Sequence, residues 1–287
     1  MNQFPDEDWD IEITPKSSLF DLRLKDTWHY RDLLLLLVRR DFVAFYKQTV
    51  LGPLWFFIQP LATIILYNFV FANIAKISTG NIPAPVFYLA GTIIWNYFAD
   101  CLTKTSTVFK DNAGMLGKVY FPRLIMPLSI VFSNLIRFAV QFILFLLMMV
   151  IYGVQGFSIH PSIYLLLFPL LILLIAALGL GLGMMISAVT TKYRDLSFVV
   201  SFGVPLLMYT TTVIYPLSIA QAKYPKYSWL IKYNPITVII ETFRKGFLGE
   251  GSFDWRLLGY SGAVTAVILV LGIVIFNKVE RTFVDTV

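Results

Sequence analysis

The sequence predicts an all-α membrane protein with six transmembrane helices, an N-terminal amphipathic interface helix and a re-entrant external helical hairpin between spans five and six. Three observations support this prediction. First, 57% of the 287 residues are hydrophobic, only 14% are charged, and the mean hydropathy is +0.73, a composition typical of multi-pass membrane proteins. Second, apolar runs recur along the chain, each long enough to cross a hydrocarbon core roughly 30 Å thick. Third, an amphipathic pattern precedes the first of these runs.

Residues 1–27 are predicted to form an acidic cytosolic tail. The first 15 residues contain five acidic side chains and no Lys or Arg, which differs from the basic and then apolar pattern of a signal peptide. Residues 16–287 hold all 23 basic residues and 12 of the 17 acidic ones, a net charge of +11. Positive-inside loops and anionic lipid headgroups account for this excess, so no nucleic-acid partner is implied.

Residues 28–51 are predicted to form a helix that lies along the membrane surface. At 100° per residue, six residues fall on one side of this helix and form an apolar stripe, namely Leu34, Leu35, Val38, Phe42, Phe45 and Tyr46. Arg40 and Lys47 fall on the opposite face, as expected of an interfacial amphipathic helix. Gly52 and Pro53 then end this helix.

Residues 52–287 are predicted to form a six-span transmembrane domain. The expected spans are residues 54–75, 85–103, 124–152, 163–190, 196–214 and 257–277. An even number of spans places both termini on one side of the membrane. That side holds fifteen Lys and Arg, the opposite side holds seven, and Arg137 lies within a span. The positive-inside rule therefore predicts cytoplasmic termini.

The sequence of residues 215–252, on the external side, predicts helical structure and not only a loop. Asn234 is a helix N-cap and Pro235 occupies the first helical position, and apolar residues then repeat at helical spacing until Gly249. This helix and the partly apolar residues before it are together predicted to form a hairpin that dips into the outer leaflet. A single helix resting on the outer surface is the alternative.

Several residues resemble parts of nucleotide-binding or metal-binding motifs, but their spacing does not fit those motifs. Gly179, Gly181 and Gly183 lack the strand and spacing of a dinucleotide fingerprint, whereas Gly179 and Gly183 are four apart and predict a close helix contact. The Gly117-Lys118 pair lacks the spacing of a Walker A loop, so the chain has no ATP site of its own. One cysteine, Cys101, and two distant histidines, His29 and His160, predict no metal site.

Arg137 is the one charged residue well inside a predicted span, where an unpaired cation is costly. It either faces a cavity and meets a substrate phosphate, or it forms a structural salt bridge. Asp100 lies toward the cytoplasmic end of its span and Glu241 in the external segment, which argues against coupling to an ion gradient.

Aromatic residues make up 16% of the chain. Interface belts explain many of them, but rings within spans also suit a conduit, because sugar C–H groups stack on ring faces. The candidate conduit residues are Trp55, Phe56, Tyr67, Phe71, Tyr88, Trp95, Tyr97, Phe98, Phe202 and Tyr209.

Taken together, residues 28–287 resemble the membrane subunits of the polysaccharide-exporting branch of type-2 ABC transporters. The segments that carry the resemblance, in this order, are RDLLLLLVRRDFVAFYKQTVLGPLWFFIQP, YFPRLIMPLS, TTKYRDLSF, VIYPLS with YNPITVIIETFR, and VERTFVD. The acidic extension before residue 16 departs from the family pattern. The resemblance implies a homodimer that joins two copies of a separate ATP-binding subunit and exports a lipid-linked polysaccharide, such as O-antigen, across the bacterial inner membrane. ATP and Mg²⁺ would bind the partner, and this chain would hold no cofactor.

The same resemblance implies roles for particular residues. Contacts with the ATPase are expected at Arg39, Arg40, Lys47, Lys110, Asp111, Asn112, Lys118, Arg194 and Asp195. An external gate is expected at Tyr215, Pro216, Asn234, Pro235, Glu241 and Arg244. It also favours the conduit interpretation of the aromatic residues over the interface-belt interpretation.

Two other classes of protein remain as alternatives. A membrane enzyme that acts on polyprenyl-phosphate sugars would need clustered acids for a metal ion, and here the acidic residues are scattered. An ion-coupled carrier would need carboxylates at mid-membrane.

Overall fold

The structure is a computed structural model that describes residues 24–47, 49–116, 121–157, 160–193 and 195–283. The regular elements in these ranges are all helices, which confirms the all-α class. The helices are α1 Leu24–His29, α2 Arg31–Tyr46, α3 Trp55–Tyr67, α4 Ala84–Ser106, α5 Val108–Asp111, α6 Ala113–Leu116, α7 Ile125–Val154, α8 Phe168–Lys192, α9 Leu196–Met208, α10 Leu217–Lys223, α11 Ser228–Lys232, α12 Pro235–Leu248 and α13 Trp255–Phe283. Residues 1–23 of the predicted tail, which spans residues 1–27, lie outside the described residues.

Within the described ranges, four helical segments are long and apolar enough to cross a membrane, namely Trp55–Ile74, Ile125–Val154, Ile163–Lys192 and Trp255–Val279. They coincide with predicted spans one, three, four and six. The second and fifth predicted spans correspond to α4 and to α9. Helix α4 is long enough but carries Asn96, Asp100 and Lys104, and α9 is apolar but has only 13 residues. A crossing by these two helices stays a prediction.

The first span changes its helical type partway along. A 3₁₀ turn, Gly52–Leu54, leads into α3, and from Asn68 to Ile74 the chain continues as a π-helix. Pro60 lies inside α3 and has no N–H to donate. The π segment widens the helix beside Tyr67 and Phe71, two of the predicted conduit residues, and such segments are common at functional sites.

Helix α8 lies between α4 and α13, and glycines bring the three backbones together. A Cβ at Gly179 would approach the Phe98 carbonyl oxygen at 3.0 Å, and one at Gly183 would approach Thr105 Cβ at 2.6 Å, so both glycines face α4. Gly181 faces the other way, since its Cβ would lie 2.9 Å from Leu269 Cα on α13. The predicted helix contact at Gly179 and Gly183 is confirmed, and Gly181 adds a second one.

Helix α2 packs against α7, and its buried face agrees only in part with the predicted stripe. Val38 of the stripe is buried, but Leu35 of the stripe is 62% exposed, and Leu37, which the stripe did not include, is buried. Residues 33–37 are five consecutive leucines, so the helix is apolar on every side there and periodicity alone does not define which side packs.

Helix α12 is an interior element and does not rest on the surface of the bundle. It contacts α4, α8, α13 and the 3₁₀ turn Ile163–Leu167, and nearly all its side chains from Ile236 to Leu248 are buried. Its predicted start is confirmed, because Asn234 Oδ1 accepts a hydrogen bond from the Ile236 N–H at 3.0 Å. Gly249 follows its last turn in the left-handed conformation, at φ 77°.

We expect Gly183→Val to destabilise the chain by about 1–3 kcal/mol, because the added carbons would force α8 away from α4. Gly203→Val on α9 is the matched control, since a Cβ there has no atom within 4 Å. The measurement is thermal unfolding of the purified chain in detergent. Equal unfolding temperatures for the two variants would contradict the close contact of α4 and α8.

Candidate functional site

A polar cavity of about 530 Å³ lies between α2, α4, α5 and α7. We call it the basic cavity, and its charged and polar lining consists of Arg40, Asp41, Lys104, Asp111, Asn112, Ser129, Ser133, Asn134 and Arg137. Three of these side chains are cations and two are carboxylates. In a chain with so few charges, this concentration marks the cavity as a candidate binding site.

Arg137 combines both of the interpretations that the sequence left open. Its Nη1 lies 3.8 Å from Asp100 Oδ2, which is an ion pair with α4, and its guanidinium lies 5.8 Å from the centre of the Phe56 ring. The same side chain lines the basic cavity. The ion pair stabilises the charge within an apolar helix, and the cavity leaves space for an anionic group beside it.

Lys104 is a site residue that the sequence analysis did not select. Its Nζ donates a hydrogen bond to Asn134 Oδ1 at 2.8 Å, and within the described part of the chain no carboxylate lies within 4 Å of this amine. By contrast, Arg40 is paired with Asp41 at 2.8 Å. The signal in the sequence was the spacing, since Lys104 follows Asp100 by one helical turn and so shares its face of α4.

The residues predicted to contact an ATPase are only partly brought together. Arg40, Asp111 and Asn112 line the basic cavity, and Asp111 Oδ2 accepts a hydrogen bond from the Thr107 hydroxyl at 2.6 Å. Arg39, Lys47, Lys110 and Asp195 are exposed. Lys118 and Arg194 lie outside the described residues.

The predicted conduit aromatics fall into two groups. Five are buried within the chain and offer no free ring face. They are Phe56 on α3 and four residues of α4, which is covered by α3, α7, α8, α9 and α12, namely Tyr88, Trp95, Tyr97 and Phe98. The other five are exposed or half-buried; they are Trp55, Tyr67, Phe71, Phe202 and Tyr209. Tyr67 and Phe71 contact each other with ring centres 5.5 Å apart.

Arg244 holds the predicted external gate to the rest of the bundle. It is 1% exposed and donates hydrogen bonds to the backbone carbonyls of Thr212, Val213 and Phe87 at 2.5, 2.9 and 3.1 Å. Its guanidinium stacks 3.5 Å from the centre of the Phe87 ring. Arg244 therefore joins α12, the turn after α9 and the start of α4. A Cβ at Gly91 would lie 2.7 Å from Arg244 Nη2, so only glycine leaves room for this side chain.

Glu241 is the ionic partner of Arg244, one helical turn earlier on α12. Its Oε1 lies 3.5 Å from Arg244 Nη1, and its Oε2 accepts a hydrogen bond from the Ser252 N–H at 3.1 Å. Pairing and hydrogen bonding make the burial of these two charges possible. The sequence placed both residues at the gate, but nothing in it showed that they are buried.

The other predicted gate residues shape the turn that Arg244 binds. The Tyr215 hydroxyl donates a hydrogen bond to the Tyr209 carbonyl at 2.7 Å, and Asn234 Nδ2 donates to the Thr210 carbonyl at 3.3 Å. Pro216 precedes α10 and Pro235 begins α12. The predicted gate residues therefore form one connected region. In the described ranges, no group of three or more His, Cys, Asp and Glu has the geometry of a metal site.

These features define an all-helical membrane protein with a polar cavity at one end of α4 and a buried ion pair at the other. A comparison with protein families matches residues 32–248 to the model for ABC-2 type transporters. The chain belongs to this family of ABC transporter membrane subunits.

Individual relatives extend the match over most of the chain. It is 28% identical to an O-antigen export system permease protein, RfbA, of Klebsiella pneumoniae over 255 residues, 88% of this chain and 94% of the relative. The RfbA protein of Myxococcus xanthus is 28% identical over 92% of this chain and 98% of its own length. The polysialic acid transport protein KpsM of Escherichia coli is 23% identical over 82% of this chain and 89% of its own length.

We expect Arg244→Met to destabilise the chain by about 3–5 kcal/mol, because it leaves Glu241 buried without a cation. Arg256→Met, at an exposed arginine just beyond the gate, is the matched control. The double variant Glu241→Gln with Arg244→Met removes both charges and should recover part of the loss. Thermal unfolding of the purified chain measures all three, and a double variant no more stable than Arg244→Met alone would contradict the pairing.

Proposed function

We propose that this chain is the channel-forming permease subunit of an ABC transporter that exports a lipid-linked polysaccharide across the bacterial inner membrane. The observation that carries the proposal is the match to named O-antigen export permeases over nearly the full length of both chains. O-antigen is the first candidate substrate, and capsular polysaccharide and teichoic acid are the others. The match to KpsM, named for polysialic acid transport, supports the wider polysaccharide class.

The proposed assembly contains two copies of this chain and two copies of a separate ATP-binding subunit. The 287 residues contain no Walker A sequence, so ATP and Mg²⁺ would bind the partner. Six spans with cytoplasmic termini suit this arrangement, because the more basic side of the chain then faces the cytosol. Exposed Arg39, Lys47 and Lys110 would lie on that side, within reach of the partner.

In this proposal the basic cavity receives the phosphate end of the lipid-linked substrate. Lys104 and Arg137 present donors to the cavity from two neighbouring helices, and Arg40 adds a third cation from α2. Charged donors bind phosphate oxygens more strongly than neutral ones do. Because α2 forms one wall of the cavity, the substrate would enter beside this interface helix.

The sugar chain would then follow the exposed aromatics of the first and fifth spans. Trp55, Phe202 and Tyr209 are each more than 40% exposed in the single chain, and Tyr67 and Phe71 lie beside them along the π segment. These surfaces would face a second copy of the chain across a shared conduit, where ring faces stack on sugars.

We expect Lys104→Met to lower glycan export at least tenfold, because one charged hydrogen bond to phosphate contributes on the order of 1.5–3 kcal/mol. Lys104→Arg should retain more export than Lys104→Met. Lys278→Met, at an exposed lysine near the end of α13, is the matched control. Surface glycan is measured in cells that lack their own copy of this chain and carry the remaining export genes.

Membrane levels of each variant are measured in the same cells, so that lost export is separated from lost protein. Equal export by Lys104→Met and Lys278→Met would contradict the phosphate role of the basic cavity. Export by cells that lack the ATP-binding subunit would favour an ion-coupled carrier, and sugar transfer without ATP hydrolysis would favour a membrane enzyme.

A further inference from the structure

A second cavity, of about 550 Å³, opens at the other end of α4. Its walls are the loop from Ser78 to Ile82, helix α10 and the turn from Glu250 to Asp254 that joins α12 to α13. The turn and the loop are tied together, because the Asn81 N–H donates hydrogen bonds to both carboxylate oxygens of Glu250 at 3.2 and 3.3 Å. We call this space the outlet cavity, since the proposed orientation places it on the external side.

The inner wall of the outlet cavity contains two buried charges with unused hydrogen-bonding atoms. Glu241 and Arg244 both line the cavity and are 4% and 1% exposed. Beyond their ion pair, Glu241 Oε1 and Arg244 Nε have no hydrogen-bond partner among the described residues. Leaving a donor and an acceptor without hydrogen-bond partners is costly in a buried position.

The chemistry of the lining selects a hydroxyl-rich ligand. A hydroxyl group both donates and accepts hydrogen bonds, so it suits a lining that combines carboxylates with amide and hydroxyl groups. Gln221, Ser218 and Ser252 add further donors and acceptors around the cavity, and Phe253 adds an apolar face. This mixture of polar groups and a ring suits the hydroxyls and C–H groups of a sugar.

The charges of the lining argue against two other ligands. The carboxylates of Glu241, Glu250 and Asp254 outnumber the cations of Lys232 and Arg244, which disfavours a phosphate. A divalent cation is disfavoured because the described residues hold no group of three metal-binding side chains.

We propose that the outlet cavity binds one neutral sugar unit of the exported glycan within a single copy of the chain. This inference rests on the proposed function and adds a glycan subsite separate from the conduit between two copies. A sugar in this cavity would lie against the residues that fasten α12 to α4, so glycan leaving the conduit would contact the gate directly.

The test is saturation-transfer NMR on the full chain in lipid nanodiscs, which carry no sugar headgroups. The probes are the methyl glycosides of galactose, mannose, rhamnose and N-acetylglucosamine at about 10 mM, a concentration suited to millimolar affinity, with glycerol as the non-sugar probe. We expect signal transfer to at least one glycoside and none to glycerol. Ser218→Trp, which fills the cavity, should lower that signal at least about fivefold, in line with a loss of roughly 1 kcal/mol of binding free energy.

Ala222→Trp is the matched control, because Ala222 is exposed on the same helix and does not line the cavity. Gln221→Trp is a second cavity-filling variant in case Ser218→Trp does not fold. The inference is overturned if no glycoside receives signal from the wild-type chain, if glycerol receives as much as the glycosides, or if cavity-filling and control variants give equal signals. Export measured in cells separates the proposed export function from sugar binding in the outlet cavity. A chain that exports glycan but binds no sugar would contradict only the sugar-binding inference.

Discussion

The close contact between α4 and α8 is the constraint on which the rest of this structure depends. Gly179 and Gly183 let the two backbones approach until a single Cβ would meet the Phe98 carbonyl oxygen or Thr105. Helix α4 is enclosed by its neighbours, and three of its polar residues, Asn96, Asp100 and Lys104, pair with side chains of α7. This enclosure also explains why most aromatic side chains of α4 form the core of one chain.

Both candidate sites lie at the ends of that enclosed helix. Phe87 near its start accepts a hydrogen bond from Arg244 at the outlet cavity, and Lys104 near its end lines the basic cavity. Seventeen residues separate them, a helical length of about 26 Å at 1.5 Å per residue. In the proposed export cycle, a displacement of α4 at the basic cavity would reach the Arg244 contacts at the outlet cavity, because a packed helix moves largely as a rigid body.

The sequence predicted the features that depend on composition and short-range pattern. It predicted the helical class, the four of its six spans that are long apolar helices, the start of α12 at Asn234 and the glycine contact of α8. It predicted the packed face of α2 only in part, because five consecutive leucines remove the periodic signal. It also did not separate buried aromatics such as Tyr88 and Trp95 from exposed ones such as Phe202, since that difference arises from long-range packing. The burial of Arg244 and the position of Lys104 likewise depend on contacts between helices distant in sequence.

The proposed function requires that this chain exports glycan only when a separate subunit hydrolyses ATP, and one experiment in cells tests this directly. The chain is expressed in an export-deficient strain with its ATP-binding partner, either wild type or with the phosphate-binding lysine replaced by alanine, and surface glycan is measured. We expect surface glycan with the wild-type partner and intracellular accumulation of lipid-linked glycan with the inactive one, and no ATP hydrolysis by the purified chain alone. Equal surface glycan with both partners, or ATP hydrolysis by the isolated chain, would contradict it.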